Sequence, residues 1–286
     1  MKRSVLLRYL GLGLGASILP ACARLGEITS KLPLPTSSSE DPAEPAVEVV
    51  AEAAFPLGET WKVATTTGYY PFVQQPQPDQ FEGFDVDLLN EIATIAGVEL
   101  QWKKQAFDSL IPLLQGGRAD VAIGAIAITE DRAKLVSFSA PYFVSGLAIA
   151  TVPGRDDIKN FKTLEDKTIA VQLGTAGAQA AVDISGSEIK TYNSAFSALQ
   201  AVADGAAEAA ITDLPLILSA IASEQITGIK LTSKRLTEEP FGIAVPNKKP
   251  EALVAINQAL AMIRENGRYD EIYQKWFGGE RLESRG

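Results

Sequence analysis

The 286-residue chain contains no histidine and only one cysteine. Without histidine there is no imidazole to act as general base, to activate a serine or cysteine nucleophile, or to supply the usual nitrogen ligand of a transition metal. Carboxylate-only chemistry remains possible, but the absence weighs against an enzyme, and no cofactor or metal is expected. A lone cysteine, Cys22, excludes an intramolecular disulfide. Positive charge is scarce as well: 26 Lys and Arg face 35 Asp and Glu, for a net charge of −9. No basic stripe is available to meet phosphates, so nucleic acid is excluded as an expected partner. Beyond the first residues, no apolar run is long enough to span a bilayer. What is plentiful is core material, with 46% hydrophobic residues.

The chain begins with a basic stretch, Met1-Lys2-Arg3 with Arg8, followed by a largely apolar run from Val5 to Leu19. Leu19-Pro20-Ala21-Cys22 closes it. These are the three parts of a secretory signal peptide (1–21), and the run is too short for a transmembrane helix. Leu19 and Ala21, three and one residues before Cys22, resemble the bacterial lipoprotein cleavage box, in which the cysteine becomes the lipidated first residue. A plain signal peptide with an incidental cysteine is the alternative. The only cysteine of the chain stands where a lipobox requires one, which favours the anchor. Residues 22–58 then read as a disordered tether: prolines 33, 35, 42, 45 and 56 and the run Ser37-Ser38-Ser39 leave too little apolar surface to offset ordering. The expected protein is exported to the periplasm or cell surface and lipid-anchored to a membrane.

From Glu59 onward strand and helix patterns alternate. Strands are expected at Trp61–Thr65, Val98–Lys103, Asp120–Ile126, Thr168–Gln172, Glu188–Tyr192 and Ala209–Thr212, with helices at Asp87–Ala96, Ser109–Gln115, Ala176–Val182 and Ala195–Asp204. The alternation implies an α/β chain of βαβ units with open, mostly parallel sheets, and at this length two lobes. Gly146–Val152 and Phe241–Val245 read as strands crossing between them, and Ala252–Asn266 and Tyr269–Trp276 as helices returning to the first. Lobe one is then 59–147 plus 242–286 and lobe two 148–241. Open α/β sheets bind ligands at the carboxyl ends of their strands, so two sheets facing each other across a hinge make a cleft there.

The loops at those ends carry a resemblance. Gly83-Phe84-Asp85-Val86-Asp87-Leu88 with Ile92-Ala93 and Ala96 is similar to the signature of the extracellular solute-binding protein family 3, polar amino-acid receptors of ABC importers. Tyr70-Pro71-Phe72, Phe107-Asp108-Ser109-Leu110-Ile111-Pro112, Ile128-Thr129-Glu130-Asp131-Arg132-Ala133, Phe138-Ser139-Ala140-Pro141-Tyr142, Val171-Gln172-Leu173-Gly174-Thr175, Thr212-Asp213 and Tyr273-Gln274-Lys275-Trp276-Phe277 follow in matching order. The stretch Leu236-Thr237-Glu238-Glu239 looks most like cyanobacterial members. The resemblance spans Trp61 to Phe277 and implies the two-lobe periplasmic-binding-protein fold, type II, with two crossing hinge strands.

It also implies the site. A guanidinium suits a ligand carboxylate through paired charge-assisted hydrogen bonds, and the resemblance assigns that role to Arg132; otherwise Arg132 would pair locally with Glu130 or Asp131. A second grip comes from the helix start at Gly174-Thr175-Ala176, where Thr175 also fits as an N-cap. Asp213 matches the family's ammonium-binding aspartate, the alternative being a turn or cap aspartate before Leu214-Pro215. Tyr69 and Phe107 match the aromatic walls around the ligand side chain, though either residue also suits a core. Ala125 and Ala127 contribute only backbone groups where the family commonly has glycine and a hydroxyl residue. Thr66 and Gln172 offer uncharged polar groups where relatives carry charge, which points to a neutral polar ligand such as glutamine, with basic amino acids next. Asp85 and Asp87 read as capping and dipole-complementing residues.

The partners implied are a free amino acid, a membrane permease, and the membrane through the lipid anchor, with the receptor itself a monomer. Two other classes stay open. One is an enzyme resembling cyclohexadienyl dehydratase, with Glu130, Asp131 or Asp213 as general acid; the other is a ligand-sensing module without transport.

Overall fold

The computed structural model describes residues 59–278. The expected signal peptide, Cys22 and the tether lie outside the described residues. Strand β1 (Thr60–Thr65) leads through the hairpin of β2 (Gln74–Gln77) and β3 (Gln80–Glu82) into helix α1 (Phe84–Ala96) and strand β4 (Glu99–Lys104). A 3-10 turn (Phe107–Ser109), α2 (Leu110–Gln115), β5 (Val121–Ala122), α3 (Glu130–Ala133) and β6 (Ser137–Phe138) follow. The chain then passes through β7 (Phe143–Ser145) into β8 (Leu147–Thr151), β9 (Thr168–Gln172), α4 (Ala176–Val182), β10 (Glu188–Tyr192), α5 (Ala195–Ala203), β11 (Ala209–Asp213), α6 (Leu214–Ala222) and β12 (Lys230–Leu231). It returns through β13 (Glu239–Phe241) and β14 (Ala244–Val245) to α7 (Pro250–Glu265) and α8 (Arg268–Phe277).

Two five-stranded sheets result, in the orders β4-β1-β5-β14-β6 and β10-β9-β11-β8-β12. The expectation of mostly parallel sheets is corrected here. Each sheet joins two parallel pairs to two antiparallel ones, because a chain that enters and leaves each lobe through a hinge adds strands running the other way. The central strands of the second sheet, β8, β9 and β11, are buried almost throughout and mostly apolar, as cover on both faces demands. In the first sheet one face carries Val63, Val121 and Ile123 against Leu88, Leu89 and Ile92 of α1 and Ile256 and Leu260 of α7. Its other face packs Ala64, Ala122 and Ile126 on Leu110 and Leu114 of α2. The second sheet is covered by α5 and α6 on one face and by α4 on the other.

The two halves are linked by the antiparallel pair β7–β13, in which Phe143, Val144 and Ser145 face Phe241, Pro240 and Glu239. These linking strands lie earlier than expected from Gly146–Val152 and Phe241–Val245. Β8 belongs wholly to the second sheet, and the chain leaves the pair after Phe241 to join the first sheet at β14. Phe143 and Phe241 stack at 5.8 Å between ring centroids, and Phe72 meets both edge-on at 5.0 and 5.4 Å. This aromatic cluster anchors the hinge to lobe one.

The capping role expected of Asp85 and Asp87 does not hold. Gly83 occupies the N-cap of α1, with no side-chain cap. Its left-handed φ of 139° matters, because a Cβ there would lie 2.0 Å from the Phe72 carbonyl oxygen. Asp87 instead accepts hydrogen bonds from Lys275 Nζ (2.6 Å) and Trp276 Nε1 (2.7 Å), tying α8 to α1. Asp85 is fully buried and accepts from the Ala125 N–H at 2.8 Å.

Candidate functional site

Every candidate residue lies at or just beyond the carboxyl end of a strand. Thr66 and Tyr69 follow β1, Phe107 follows β4, and Ala125, Ala127 and Arg132 follow β5. Gln172 ends β9, Thr175 and Ala176 open α4, and Asp213 ends β11. The first group belongs to one sheet and the second to the other, and contacts between them draw the two together.

Arg132 is the clearest link. Thr129 caps α3 and accepts from the Arg132 N–H at 3.3 Å, leaving the side chain directed away from its acidic neighbours. Its Nη1 donates to the Ala127 carbonyl oxygen at 2.7 Å and its Nη2 to the Gly174 carbonyl oxygen at 2.9 Å, across to the second sheet. Its guanidinium carbon lies 5.3 Å from the centre of the Phe107 ring. The local alternative is thus not adopted: Asp131 pairs with Lys134 at 2.8 Å. The opposite crossing is made by Tyr69, whose hydroxyl donates to Asp213 Oδ2. Asp213 Oδ1 accepts from the Ser145 hydroxyl at 2.9 Å. Asp213 stands at the N-cap position of α6 yet makes no capping bond, so its carboxylate is free to face the cleft.

Thr175 caps α4, accepting from Ala178 N–H at 3.2 Å and donating to the Gln172 carbonyl oxygen at 2.8 Å. Gln172 is buried, with Nε2 donating to the Asn193 carbonyl oxygen at 3.3 Å and Oε1 without a partner. Ala125 and Ala127 are buried, Ala125 in the left-handed region at φ 52°. Thr66 is buried, and its carbonyl oxygen accepts from the Thr65 hydroxyl at 3.3 Å. The structure therefore gathers Tyr69, Phe107, Ala127, Arg132 and Asp213 into one contact group, and leaves Thr66, Gln172, Thr175 and Ala176 at its edge.

The electrostatics follow from burial. Desolvation raises the Asp213 carboxyl to about 6, opposed by the Tyr69 and Ser145 hydrogen bonds and the charge of Arg132. Tyr69 is raised well above its ordinary value by burial and by Asp213. Burial lowers Arg132, while Asp213 and Glu239 counteract it. A guanidinium and a carboxylate, one from each half, thus face the same cleft in desolvated surroundings, where charge pairing is strengthened.

Sequence reasoning passed over two participants, and it expected Gly174 at a helix start without its carbonyl contact to Arg132. Ser145 and Glu239 stand opposite each other in β7–β13, and directly opposed residues of an antiparallel pair project to the same face. Glu239 acts on both Asp213 and Arg132. Ser145 lies in no quoted motif, and the Leu236-Thr237-Glu238-Glu239 stretch gave Glu239 no site role, because the pairing of these two linkers is invisible in sequence. Gly174 contributes through its carbonyl oxygen alone. At φ 77° an added Cβ there would lie 2.9 Å from the Asp108 Cβ of the first lobe, so glycine lets the lobes approach.

Comparison with known proteins agrees with this fold. The family model for bacterial extracellular solute-binding proteins, family 3, matches residues 61–279. The ABC transporter glutamine-binding protein GlnH of Bacillus subtilis (strain 168) is 36% identical over 212 residues, covering 71% of this chain and 76% of the relative. An ancestral arginine-binding protein bound to arginine superposes with a TM-score of 0.74 at 37% identity, over 77% of this chain and 98% of that one. The ancestral amino acid-binding protein AncCDT-1, a precursor of cyclohexadienyl dehydratase, gives 0.70 at 34% identity, over 76% and 95%.

Proposed function

Because the chain belongs to family 3 of the bacterial extracellular solute-binding proteins, we propose that it is the substrate-binding component of an ABC importer, which captures a polar amino acid by hinge closure and presents it to the permease. The observation that supports this most is that Arg132 reaches from the first sheet to the Gly174 carbonyl while Tyr69 reaches Asp213, which leaves a guanidinium and a carboxylate within each other's field in one desolvated cleft. With lobe one as 59–147 plus 242–286 and lobe two as 148–241, an amino acid first meets lobe one. Its carboxylate takes the guanidinium of Arg132 in place of a backbone carbonyl, and its side chain lies against Tyr69 and Phe107. Lobe two then closes, Asp213 takes the ammonium in place of the Tyr69 hydroxyl, and the backbone of Gly174, Thr175 and Ala176 covers the carboxylate. Ala125 and Ala127 line the site with backbone alone. Affinity is about micromolar or tighter, about −8 kcal/mol.

The favoured cargo is a neutral polar amino acid of glutamine type, because Thr66 and Gln172 supply a hydroxyl and an amide without charge. Glu239 favours a second reading. It is a half-buried carboxylate whose charge acts on Asp213 and Arg132, and it suits the cationic side chain of a basic amino acid. The protein acts as a binding protein, not an enzyme; in support, similar proteins are named an ABC transporter glutamine-binding protein and an arginine-binding periplasmic protein. It is exported by the signal peptide 1–21, lipidated at Cys22, held at the membrane by residues 22–58, and works as a monomer. Because one acyl chain binds only marginally, stable anchoring rests on several chains.

A thermal-shift panel of the twenty amino acids on the full chain, refolded to release carried-over ligand, tests this reading. A ligand at 100 times its Kd adds about 2.7 kcal/mol of stability. A shift with glutamine supports the favoured cargo, and one confined to arginine and lysine the second. No shift with any amino acid, together with turnover of prephenate or arogenate, would establish the dehydratase reading instead.

A further inference from the structure

Asp85 is the one fully buried carboxylate among the described residues that the binding scheme leaves unused. It stands in the first turn of α1, beneath two loops of the cleft. Its N–H donates to the Phe72 carbonyl oxygen at 3.1 Å, within the Tyr69–Val73 turn. Its Oδ2 accepts from the Ala125 N–H at 2.8 Å. Ala125 holds a φ of 52°, a left-handed conformation that a residue with a Cβ adopts only at a cost. Two residues later, the Ala127 carbonyl oxygen takes Arg132 Nη1. One residue thus ties both loops, its backbone N–H holding the turn that carries Tyr69 and its side chain the loop that aims Arg132.

We infer that Asp85 is a positioning residue for ligand capture: its carboxyl oxygen locks Ala125 in the left-handed conformation and so fixes the carbonyl that orients Arg132. The inference rests on the ligand role of Arg132 given above. Among the described residues, the titratable group facing Asp85 is the buried Tyr142 hydroxyl, which Tyr269 also influences. The Tyr142 hydroxyl faces the same carboxyl, whose Oδ2 holds the Ala125 N–H. Burial raises Asp85 to about 7, which leaves it substantially neutral near neutral pH and makes asparagine its natural substitute.

Replacing Asp85 by Leu removes the acceptor at similar size; Asp85→Asn keeps it. Ala125→Gly makes the left-handed conformation free of cost and should therefore suppress the Leu defect, which a purely structural role of Asp85 would not allow. The full chain is followed by amide hydrogen exchange and by titration with glutamine and with arginine. In Asp85→Leu, exchange at Ala125 and Ala127 should accelerate about tenfold or more, while Ile149 and Ala210 in the second sheet stay unchanged. Binding should weaken about tenfold. Asp85→Asn should behave as wild type, and Asp85→Leu with Ala125→Gly should recover binding. Unchanged exchange at Ala125, a uniform acceleration at all four sites, or no recovery with Ala125→Gly would overturn the inference. If Asp85→Leu alone does not fold, failure of the double variant to fold would overturn it too. If the wild type binds neither amino acid, the transport reading fails, and exchange at Ala125 still decides the role of Asp85.

Discussion

The pH dependence of stability offers a quantitative handle on Asp85. Its carboxyl is raised to about 7 in the folded chain by burial, against about 3.9 in an unfolded one. The native state therefore binds this proton more tightly than the unfolded state. The stability it contributes is fully present below about pH 4 and is lost as pH rises through about 7. At about 1.4 kcal/mol per unit, the three-unit gap amounts to about 4 kcal/mol overall, of which about 3 kcal/mol falls between about pH 5 and pH 8. Asparagine in the same place has no proton to lose. Urea unfolding of wild type and Asp85→Asn across that range should give a stability difference that moves against the wild type by about 3 kcal/mol as pH rises. Asp213, raised to about 6, and every other group are common to both proteins and cancel in the difference. A flat difference, or one that moves in favour of the wild type with rising pH, would refute the reasoning.

Removing the guanidinium by Arg132→Ala should weaken amino-acid binding roughly hundredfold or more, because it leaves the ligand carboxylate buried without its charge partner; isothermal titration reads this directly. Gly174→Ala should hinder closure. Its methyl would lie 2.9 Å from the Asp108 Cβ across the cleft, so titration should show affinity falling about tenfold, as overpacking costs about 1–3 kcal/mol. Cys22→Ser should move the protein from the membrane to the soluble fraction on detergent-phase partition, whereas an unlipidated wild type would partition the same way as the variant.

Apolar strands covered on both faces were legible because burial leaves its mark on every residue. The expected Ala209–Thr212 differs from the observed Ala209–Asp213 by a single residue. Asp213 stood out through the family resemblance, since a carboxylate after a mostly apolar strand equally suits a turn or cap before Leu214-Pro215. Β5 shows the limit. Asp120–Ile126 reads as one strand, yet the ladder covers only Val121–Ala122, because Gly124 at φ 151° and Ala125 at φ 52° turn the chain away from the sheet. Nothing in the alanine forecasts that turn; a carboxylate 40 residues earlier accepts its N–H. Asp85 itself sits where a capping residue would, and composition near a helix start does not tell a cap from a buried tie. The β7–β13 pair was misplaced because its residues suit either sheet or linker, and only tertiary pairing brings Ser145 and Glu239 to the cleft.

The central claim is that Arg132 and Asp213 grip the two charged ends of one amino acid. Calorimetric titration of the full chain with the amino acid selected by the thermal panel, alongside its carboxamide and its N-acetyl derivative, tests it most directly. Saturable binding of the intact amino acid at about micromolar Kd, with both blocked forms weaker by about a hundredfold, is the predicted result. Equal binding of either blocked form would contradict the account.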